Sequence, residues 1–193
     1  MTQPPLELLR TDHIYKGKIV SLDVEDVRLP NGREAKREIV RHPGAVVLVV
    51  VDDQERLLLV RQYRRAADRD LLELPAGTRE AGEDAAVTAA RELGEETGYQ
   101  AAQIQRLGGF FSAPGFCTEY LECYLCTGLT ESDAQPEEDE SFEHSRLTVA
   151  ELHAAIRRGD IEDAKTLAAL TLYLGWRMAE PGRHAEGPSA ATA

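Results

Sequence analysis

Residues 77–99 read GTREAGEDAAVTAARELGEETGY, and their spacing is the main indication of the fold. Residues 84–97 contain one glycine and no proline, and their small and apolar side chains recur at helical spacing. The pattern predicts an amphipathic helix. At about 100° per residue, Glu92, Glu95 and Glu96 fall within one arc, beside the arc that would face a core.

Three glutamates on one helical edge repel one another in water, so the edge is a local cost unless a cation binds there. Carboxylate oxygens suit Mg²⁺, with Mn²⁺ as an alternative, and Mg²⁺ usually keeps some coordination positions for water or substrate phosphates. The helix therefore implies phosphate chemistry. Arg91 lies one turn before Glu95, where an i,i+4 pair would fix that carboxylate.

The spacing from Gly77 to Tyr99 matches the signature of the Nudix hydrolases at every specified position. The chain therefore resembles this family. The resemblance implies an α/β fold, built as an α/β/α sandwich around a mixed sheet with an N-terminal antiparallel β-sheet element. It also implies hydrolysis of a nucleoside diphosphate linked to another group.

The resemblance further implies site roles within the signature. Glu92, Glu95 and Glu96 would bind Mg²⁺ and serve catalysis, and the backbone carbonyl of Ala76 would join them as a ligand. The residues expected to brace the loop and helix are Gly77, Glu83, Arg91 and Gly98.

Features outside the signature resemble the ADP-ribose pyrophosphatase branch, which implies hydrolysis of ADP-ribose to AMP and ribose 5-phosphate. The substrate contacts expected from this likeness are Arg61, Tyr63, Arg64, Glu73, Pro114, Gly115 and Phe116. Ala113 and the pair Thr118-Glu119 depart from the serine and the Asp-Glu pair usual in the branch. Another substrate, such as a GDP-sugar, a flavin dinucleotide or a diadenosine polyphosphate, stays open, as does a non-catalytic nucleotide-sensing module.

The 193-residue chain carries a formal net charge of −12, which opposes binding to nucleic acid or to an anionic membrane. The arginines of residues 61–65 form either a solvated strand end or a local site for phosphate. No apolar run is long enough to span a bilayer, and no signal peptide is evident at the N-terminus, so we expect a cytoplasmic protein.

The chain divides into three predicted parts. Residues 1–42 contain alternating segments around a Pro-Asn-Gly turn and predict an antiparallel β-sheet, either part of the main fold or a separate element that pairs two subunits. Residues 43–179 would form the Nudix domain. Residues 180–193, rich in Pro, Gly, Ser and Ala, are expected to be disordered. By resemblance, the protein is a homodimer.

The pattern of the main domain predicts strands and two further helices. The expected strands are 45–51, 57–60, 71–74, 104–111, 119–127 and 142–147. Helices are expected at 148–158, opened by a capping box of Thr148 and Glu151, and at 163–178.

An acidic segment, ESDAQPEEDE at residues 131–140, predicts a surface loop. Such a loop either only solvates the surface or carries a general base to the metal site. By resemblance, Glu138, Glu140 and Glu143 are candidates for this base, and Glu140 is preferred.

Cys123 and Cys126 have the C-x-x-C spacing of redox and zinc motifs. No second pair of cysteines exists in the chain, and the segment is apolar enough for a strand. We therefore interpret them as buried thiols.

Overall fold

The computed structural model describes residues 6–132 and 142–179, and this part contains ten strands and three helices. The strands are β1 (Glu7–Lys16), β2 (Ser21–Arg28), β3 (Glu34–Arg41), β4 (Ala45–Val51), β5 (Leu57–Arg64), β6 (Arg69–Glu73), β7 (Ala76–Thr78), β8 (Tyr99–Phe111), β9 (Tyr120–Glu131) and β10 (Glu143–Leu147). The helices are α1 (Ala85–Thr97), α2 (Val149–Arg158) and α3 (Ala164–Ala179).

The first three strands form a separate antiparallel sheet in the order β1-β2-β3. The turn between β2 and β3 closes with hydrogen bonds between Leu29 and Arg33 and between Gly32 and Leu29. The N-terminal antiparallel sheet is therefore confirmed as a structural feature. The division of the chain at residue 42 and its role in dimerisation stay predictions.

The main sheet has the order β10-β5-β4-β9-β8, with β6 paired to β5 and β7 paired to β4. Strands β4 and β9 run parallel, and the other paired strands run antiparallel. The mixed sheet predicted from the family resemblance is thus confirmed.

Strand β4 shows how the sheet acquires two cores. All seven of its side chains are buried, as a continuous apolar strand covered on both faces should be. Val47 and Val49 pack with α2 and α3, whereas Val46, Leu48 and Val50 pack with α1. Burial of each valine side chain stabilises the fold by roughly 1.5 kcal/mol or more. Because β4 buries side chains on both faces, the same strand holds the helices on each side of the sheet. The α/β/α sandwich is therefore confirmed.

The strands differ from the sequence prediction at several places. Strand β8 begins at Tyr99, directly after the cap of α1, and β9 extends to Glu131, which the sequence assigned to the acidic loop. Residues 76–78, expected as loop, form the short strand β7 along β4. Its centre is Gly77, a residue depleted in strands, so only the tertiary pairing reveals it.

Local signals define the ends of the other helices. Thr148 and Glu151 form the expected capping box of α2, which ends at Gly159 in the left-handed conformation with φ of 79°. At α3, the Asp163 carboxylate accepts the backbone N–H of Thr166. None of the helices in the described residues is long and apolar enough to cross a bilayer.

The two cysteines of the C-x-x-C spacing lie in β9 but face opposite sides of the sheet. Cys123 packs in the core with α2 and α3, and Cys126 packs in the core with α1. Successive strand residues alternate in direction, so positions three apart cannot share a face. Burial raises the pKa of each thiol to about 12. The interpretation as inert core thiols follows from this geometry.

We expect a thiol-specific reagent such as Ellman's reagent to react quickly with no more than one cysteine of the native protein, Cys117, which is only partly buried. A thiol with a high pKa in a closed core provides neither thiolate nor access. In denaturant, all three thiols should react. Cys117→Ser should remove the fast phase, and a fast phase that survives this substitution would contradict the assignment.

Candidate active site

Helix α1 presents its acidic edge because both of its ends are fixed. The Asp84 side chain accepts the N–H of Ala86 at 2.8 Å, and Gly98 closes the helix with φ of 71°, a conformation that favours glycine. Ala89 and Leu93 are fully buried against the sheet. This packing fixes the rotation of the helix and turns the neighbouring edge, with Glu92 and Glu96, toward β7.

The carboxylates of Glu92 and Glu96 are buried against the backbone of β7. Glu96 Oε2 accepts the N–H of Ala76 at 3.0 Å. A Cβ added at Gly77 would lie 1.8 Å from Cδ of Glu92, so only glycine allows this carboxylate to approach the strand. The two residues are 8% and 3% exposed, an unusual burial for acids that requires compensating partners.

Arg91 is the main partner of the acidic edge. Its Nη1 donates to Glu92 Oε1 and to Glu95 Oε2, each at 2.8 Å. Its Nη2 reaches the carbonyl of Thr78 in β7 at 3.3 Å. Burial alone would lower the pKa of Arg91, but the hydrogen bond to Glu83 and the charge of Glu92 raise it. The guanidinium thus stays charged and is shared among several carboxylates.

Glu83 connects the loop before α1 to Arg91. Its carboxylate accepts from the backbone N–H of Glu80 at 3.0 Å, from Thr88 Oγ1 at 2.9 Å and from Arg91 Nη2 at 3.3 Å. The hydrogen bond from Arg91 is the largest cause that lowers the pKa of Glu83 to about 2. Glu83 therefore braces the loop as a permanent anion at neutral pH.

The donor chemistry of this edge fits a hard divalent cation. Glu92, Glu95 and Glu96 offer only oxygen atoms, beside a glycine that leaves room for a carboxylate against β7. Among the described residues, however, no three acidic, histidine or cysteine side chains are already grouped around one cation position. In this arrangement Glu92 and Glu95 face Arg91, and Glu96 faces Ala76.

A second polar cluster lies at the end of β5 and β6. Arg64 binds Glu73 through two nitrogens, with Nε to Oε1 at 3.0 Å and Nη2 to Oε2 at 2.6 Å. The Glu73 side chain is 1% exposed, and Lys165 at the start of α3 contacts the same carboxylate. The sequence assigned both Arg64 and Glu73 to the substrate, but here they bind each other.

The remaining residues assigned to the substrate lie in different surroundings. Tyr63 is exposed, and its hydroxyl donates to Asp68 within the hairpin of β5 and β6. Arg61 is partly buried, opposite Glu143 in the β5–β10 register. Within the described part of the chain, neither side chain forms a hydrogen bond or an ion pair with the acidic edge of α1.

The turn at Pro114, Gly115 and Phe116 lies against the N-terminal sheet. The carbonyl of Phe116 accepts the N–H of Val40, and the Val40 carbonyl accepts the N–H of Thr118. The Phe116 ring itself is 56% exposed. The turn is therefore attached to β3, while Glu140, the preferred general base, lies outside the described residues.

Sequence reasoning missed two features near the predicted site. Asp163, Lys165 and Thr166 join the Glu73 cluster, and their only sequence signal is the Asp-x-x-Thr spacing that opens a helix. Gln62 lies between the predicted contacts Tyr63 and Arg61, and its buried Nε2 has no hydrogen-bond partner in the part of the chain that the structure describes. An unsatisfied buried donor marks a position where a bound group can contribute the missing acceptor.

Comparison with known proteins agrees with this geometry. A family model described as NUDIX domain matches residues 40–170, which is more than half of the chain. The chain belongs to the Nudix family.

Curated relatives align over most of the chain. The chain is 43% identical over 164 residues to a methanol dehydrogenase activator of Bacillus methanolicus, covering 84% of this chain and 89% of the relative. It is 40% identical to an ADP-ribose pyrophosphatase of Bacillus subtilis, with 82% and 87% covered, and 38% identical to one of Mycobacterium tuberculosis, with 88% and 84% covered. The resemblance to the ADP-ribose pyrophosphatase branch is therefore confirmed.

A solved structure shares the fold. A crystal structure of an ADP compounds hydrolase superposes with a TM-score of 0.83 and covers 94% of this chain and 98% of its own. At 20% identity, this likeness supports the sandwich architecture and carries no conclusion about the substrate.

We predict that Glu83→Gln lowers the free energy of unfolding at pH 7, and that this loss shrinks as the pH falls. The folded pKa of about 2 lies below the ordinary value of 4.5, so Glu83 stabilises the fold above pH 4.5 and loses that contribution as the pH falls toward 2. Urea unfolding from pH 7 to pH 3 measures the difference between the two proteins.

Glu80→Gln is the matched control, because Glu80 lies in the same loop and its exposed side chain makes no hydrogen bond or ion pair with the described residues. It should change the free energy of unfolding little at any of these pH values. An equal loss for Glu83→Gln at pH 3 and pH 7 would contradict the charge-dependent role.

Proposed function

We propose that this Nudix diphosphatase hydrolyses ADP-ribose to AMP and ribose 5-phosphate in a reaction that depends on Mg²⁺, with Mn²⁺ as an alternative. One observation carries the proposal: Glu92 and Glu96 are buried against a glycine-containing strand, and Glu92 and Glu95 share the guanidinium of Arg91. The names of the relatives from Bacillus subtilis and Mycobacterium tuberculosis support ADP-ribose as the substrate.

The proposed ligands are the carboxylates of Glu92, Glu95 and Glu96 and the carbonyl of Ala76. When bound, Mg²⁺ would neutralise charge on the diphosphate and acidify a water. The chain contributes orientation: Ala76 N–H fixes Glu96, Gly77 gives space to Glu92, and Arg91 limits the rotamers of Glu92 and Glu95. Such preorganisation lowers the cost of bringing like charges together.

Arg64 is the cation best suited to the diphosphate. Its side chain is 38% exposed, whereas that of Glu73 beneath it is 1% exposed, so the guanidinium keeps one open side. A planar guanidinium binds phosphate oxygens in pairs. We further propose contacts from Arg61, Tyr63, Glu73 and the turn formed by Pro114, Gly115 and Phe116, with an exposed aromatic ring available for the adenine.

The general base is proposed to come from the acidic loop, with Glu140 preferred over Glu138 and Glu143. Glu143 is exposed at the start of β10, next to His144, whose Nε2 lies 2.7 Å from the carbonyl of Glu96. The end of the loop is therefore close to α1, which supports a base delivered from residues 137–143 to the acidic edge.

We propose that residues 1–42 form a dimerising element and residues 43–179 the catalytic domain of a cytoplasmic homodimer. Large apolar side chains are strongly exposed on the N-terminal sheet, including Leu8, Ile14, Tyr15 and Ile19. Exposed apolar side chains grouped on a sheet gain stability when a partner chain covers them.

Incubation of the purified protein with ADP-ribose and Mg²⁺ should release AMP and ribose 5-phosphate, and Glu96→Gln should reduce kcat on the order of a hundredfold or more. The amide oxygen can still accept the Ala76 N–H, so the change removes charge while keeping this contact. Loss of a few kcal/mol of charge stabilisation corresponds to this factor.

Glu55→Gln is the matched control, since it also converts a carboxylate to an amide but pairs with Arg177 of α3 on the other face of the sheet. It should keep the wild-type rate. A wild-type rate for Glu96→Gln would disprove the proposed carboxylate role. If the wild type instead cleaves a GDP-sugar, a flavin dinucleotide or a diadenosine polyphosphate, the substrate proposal is wrong, and tight binding without product would indicate a sensing module.

In solution the protein should have the mass of two chains, and the double variant with Leu8→Lys and Ile14→Lys should have the mass of one. Both side chains are more than half exposed in the single chain, so a buried pair of lysines would be the main new cost of the dimer. Size-exclusion chromatography with light scattering measures the mass. Met178→Lys, at an exposed position of α3, should leave the dimer intact, and a dimeric double variant would locate the interface elsewhere.

A further inference from the structure

The carboxylate of Glu73 is compensated from two sides. Arg64 approaches from β5 with two nitrogens, and Lys165 approaches from the start of α3, with Nζ 2.5 Å from Oε2. Lys165 also contacts Asp163 at 2.9 Å. A carboxylate this buried is costly unless it is paired, and Lys165 gives it a second cation beside Arg64.

Thr166 lies in the first turn of α3 and connects this turn to the backbone of Leu74, the residue after Glu73. Its fully buried hydroxyl accepts the N–H of Leu74 at 2.9 Å and donates to Asp163 Oδ2 at 2.6 Å. The nearby charge of Lys165 and the hydrogen bonds from Thr166 lower the pKa of Asp163 against the effect of burial. The first turn of α3 therefore binds Glu73 through its carboxylate and Leu74 through its backbone N–H.

These contacts reach the acidic edge of α1 through a short, stiff piece of chain. Leu74 is followed by Pro75, whose ring fixes φ and whose carbonyl accepts the N–H of Leu48 at 2.8 Å. The next residue is Ala76, whose N–H donates to Glu96 at 3.0 Å. The anchored residue Leu74 therefore lies only two residues before the N–H that orients Glu96.

We propose that Asp163, Lys165 and Thr166 form a positioning network for the active site. They contact neither substrate nor reacting atoms. Instead, they fix the backbone of residues 73–76 and thereby place the Ala76 N–H and the Glu96 carboxylate. The catalytic consequence rests on the proposed function, while the structural consequence, the fixed position of Ala76, does not.

Thr166→Val tests the network, because it keeps the shape of the side chain and removes the hydroxyl that joins Leu74 to Asp163. Thr166→Ser keeps the hydroxyl and should restore the wild-type behaviour. Thr171→Val is the matched control in the same helix, since its hydroxyl only donates to the Leu167 carbonyl at an exposed position.

Three measurements apply to each variant. Amide hydrogen exchange, measured by NMR without metal or substrate, should accelerate about tenfold more at Ala76 than at Leu93 in Thr166→Val. The dissociation constant for Mn²⁺ should rise about tenfold, as expected when an outer contact that orients a ligand is lost. With ADP-ribose, kcat should fall by a larger factor than KM changes, because the network is joined by the chain to the Ala76 N–H and the Glu96 carboxylate.

The outcomes separate this inference from the proposed function. Equal acceleration at Ala76 and Leu93 would mean that Thr166 only supports global stability, which overturns the inference. Wild-type Mn²⁺ affinity in Thr166→Val also overturns it. If the wild type does not cleave ADP-ribose but Thr166→Val still accelerates exchange selectively at Ala76 and weakens Mn²⁺ binding, the network stands and the proposed substrate fails.

Discussion

The structure of the site depends on the way that one guanidinium is shared. Arg91 contacts Glu92, Glu95 and Glu83 and also the carbonyl of Thr78, so it joins the acidic edge of α1 to the preceding loop and to β7. A lysine could supply the charge but not several donors in one rigid plane. Because Arg91 is the common partner of Glu83, Glu92 and Glu95, it offsets their mutual repulsion and joins the strand to the helix.

The acidic edge of α1 also needs a close approach to the backbone of β7. Gly77 has no side chain, and the space that a Cβ would fill is occupied by the carboxylate of Glu92. Beside it, the Ala76 N–H meets Glu96. Ladder pairing with β4 fixes the strand, and burial of Ala89 and Leu93 fixes the helix, so the two acids are presented by elements that the core already determines.

The sequence predicts what depends on local spacing. Helical periodicity and caps were sufficient for α1 and α2, and the apolar run of β4 was sufficient to place a strand between two layers. It did not predict β7, because a three-residue strand centred on glycine has no pattern of its own and exists through its pairing with β4. The C-x-x-C spacing alone does not show whether the two thiols can meet. In β9 the side chains alternate between the two faces of the sheet, and this alternation separates the thiols.

The contacts of the site residues also divide into those that follow from local spacing and those that depend on the packing of distant elements. Glu83, Arg91 and the acidic edge lie within one signature. The contact between Arg91 and Glu95 follows from helical spacing, whereas Glu83 reaches Arg91 from the loop before α1. The resemblance and the arginines of residues 61–65 predict Arg64 as a substrate contact, but the buried Glu73 at the end of the neighbouring strand β6 gives it a protein partner first. Lys165, distant in sequence, reaches the same carboxylate only because α3 packs over β4. An arginine whose acidic partner has a second cation can turn toward an anionic ligand without leaving a bare buried charge, which is a property of the fold and not of any short motif.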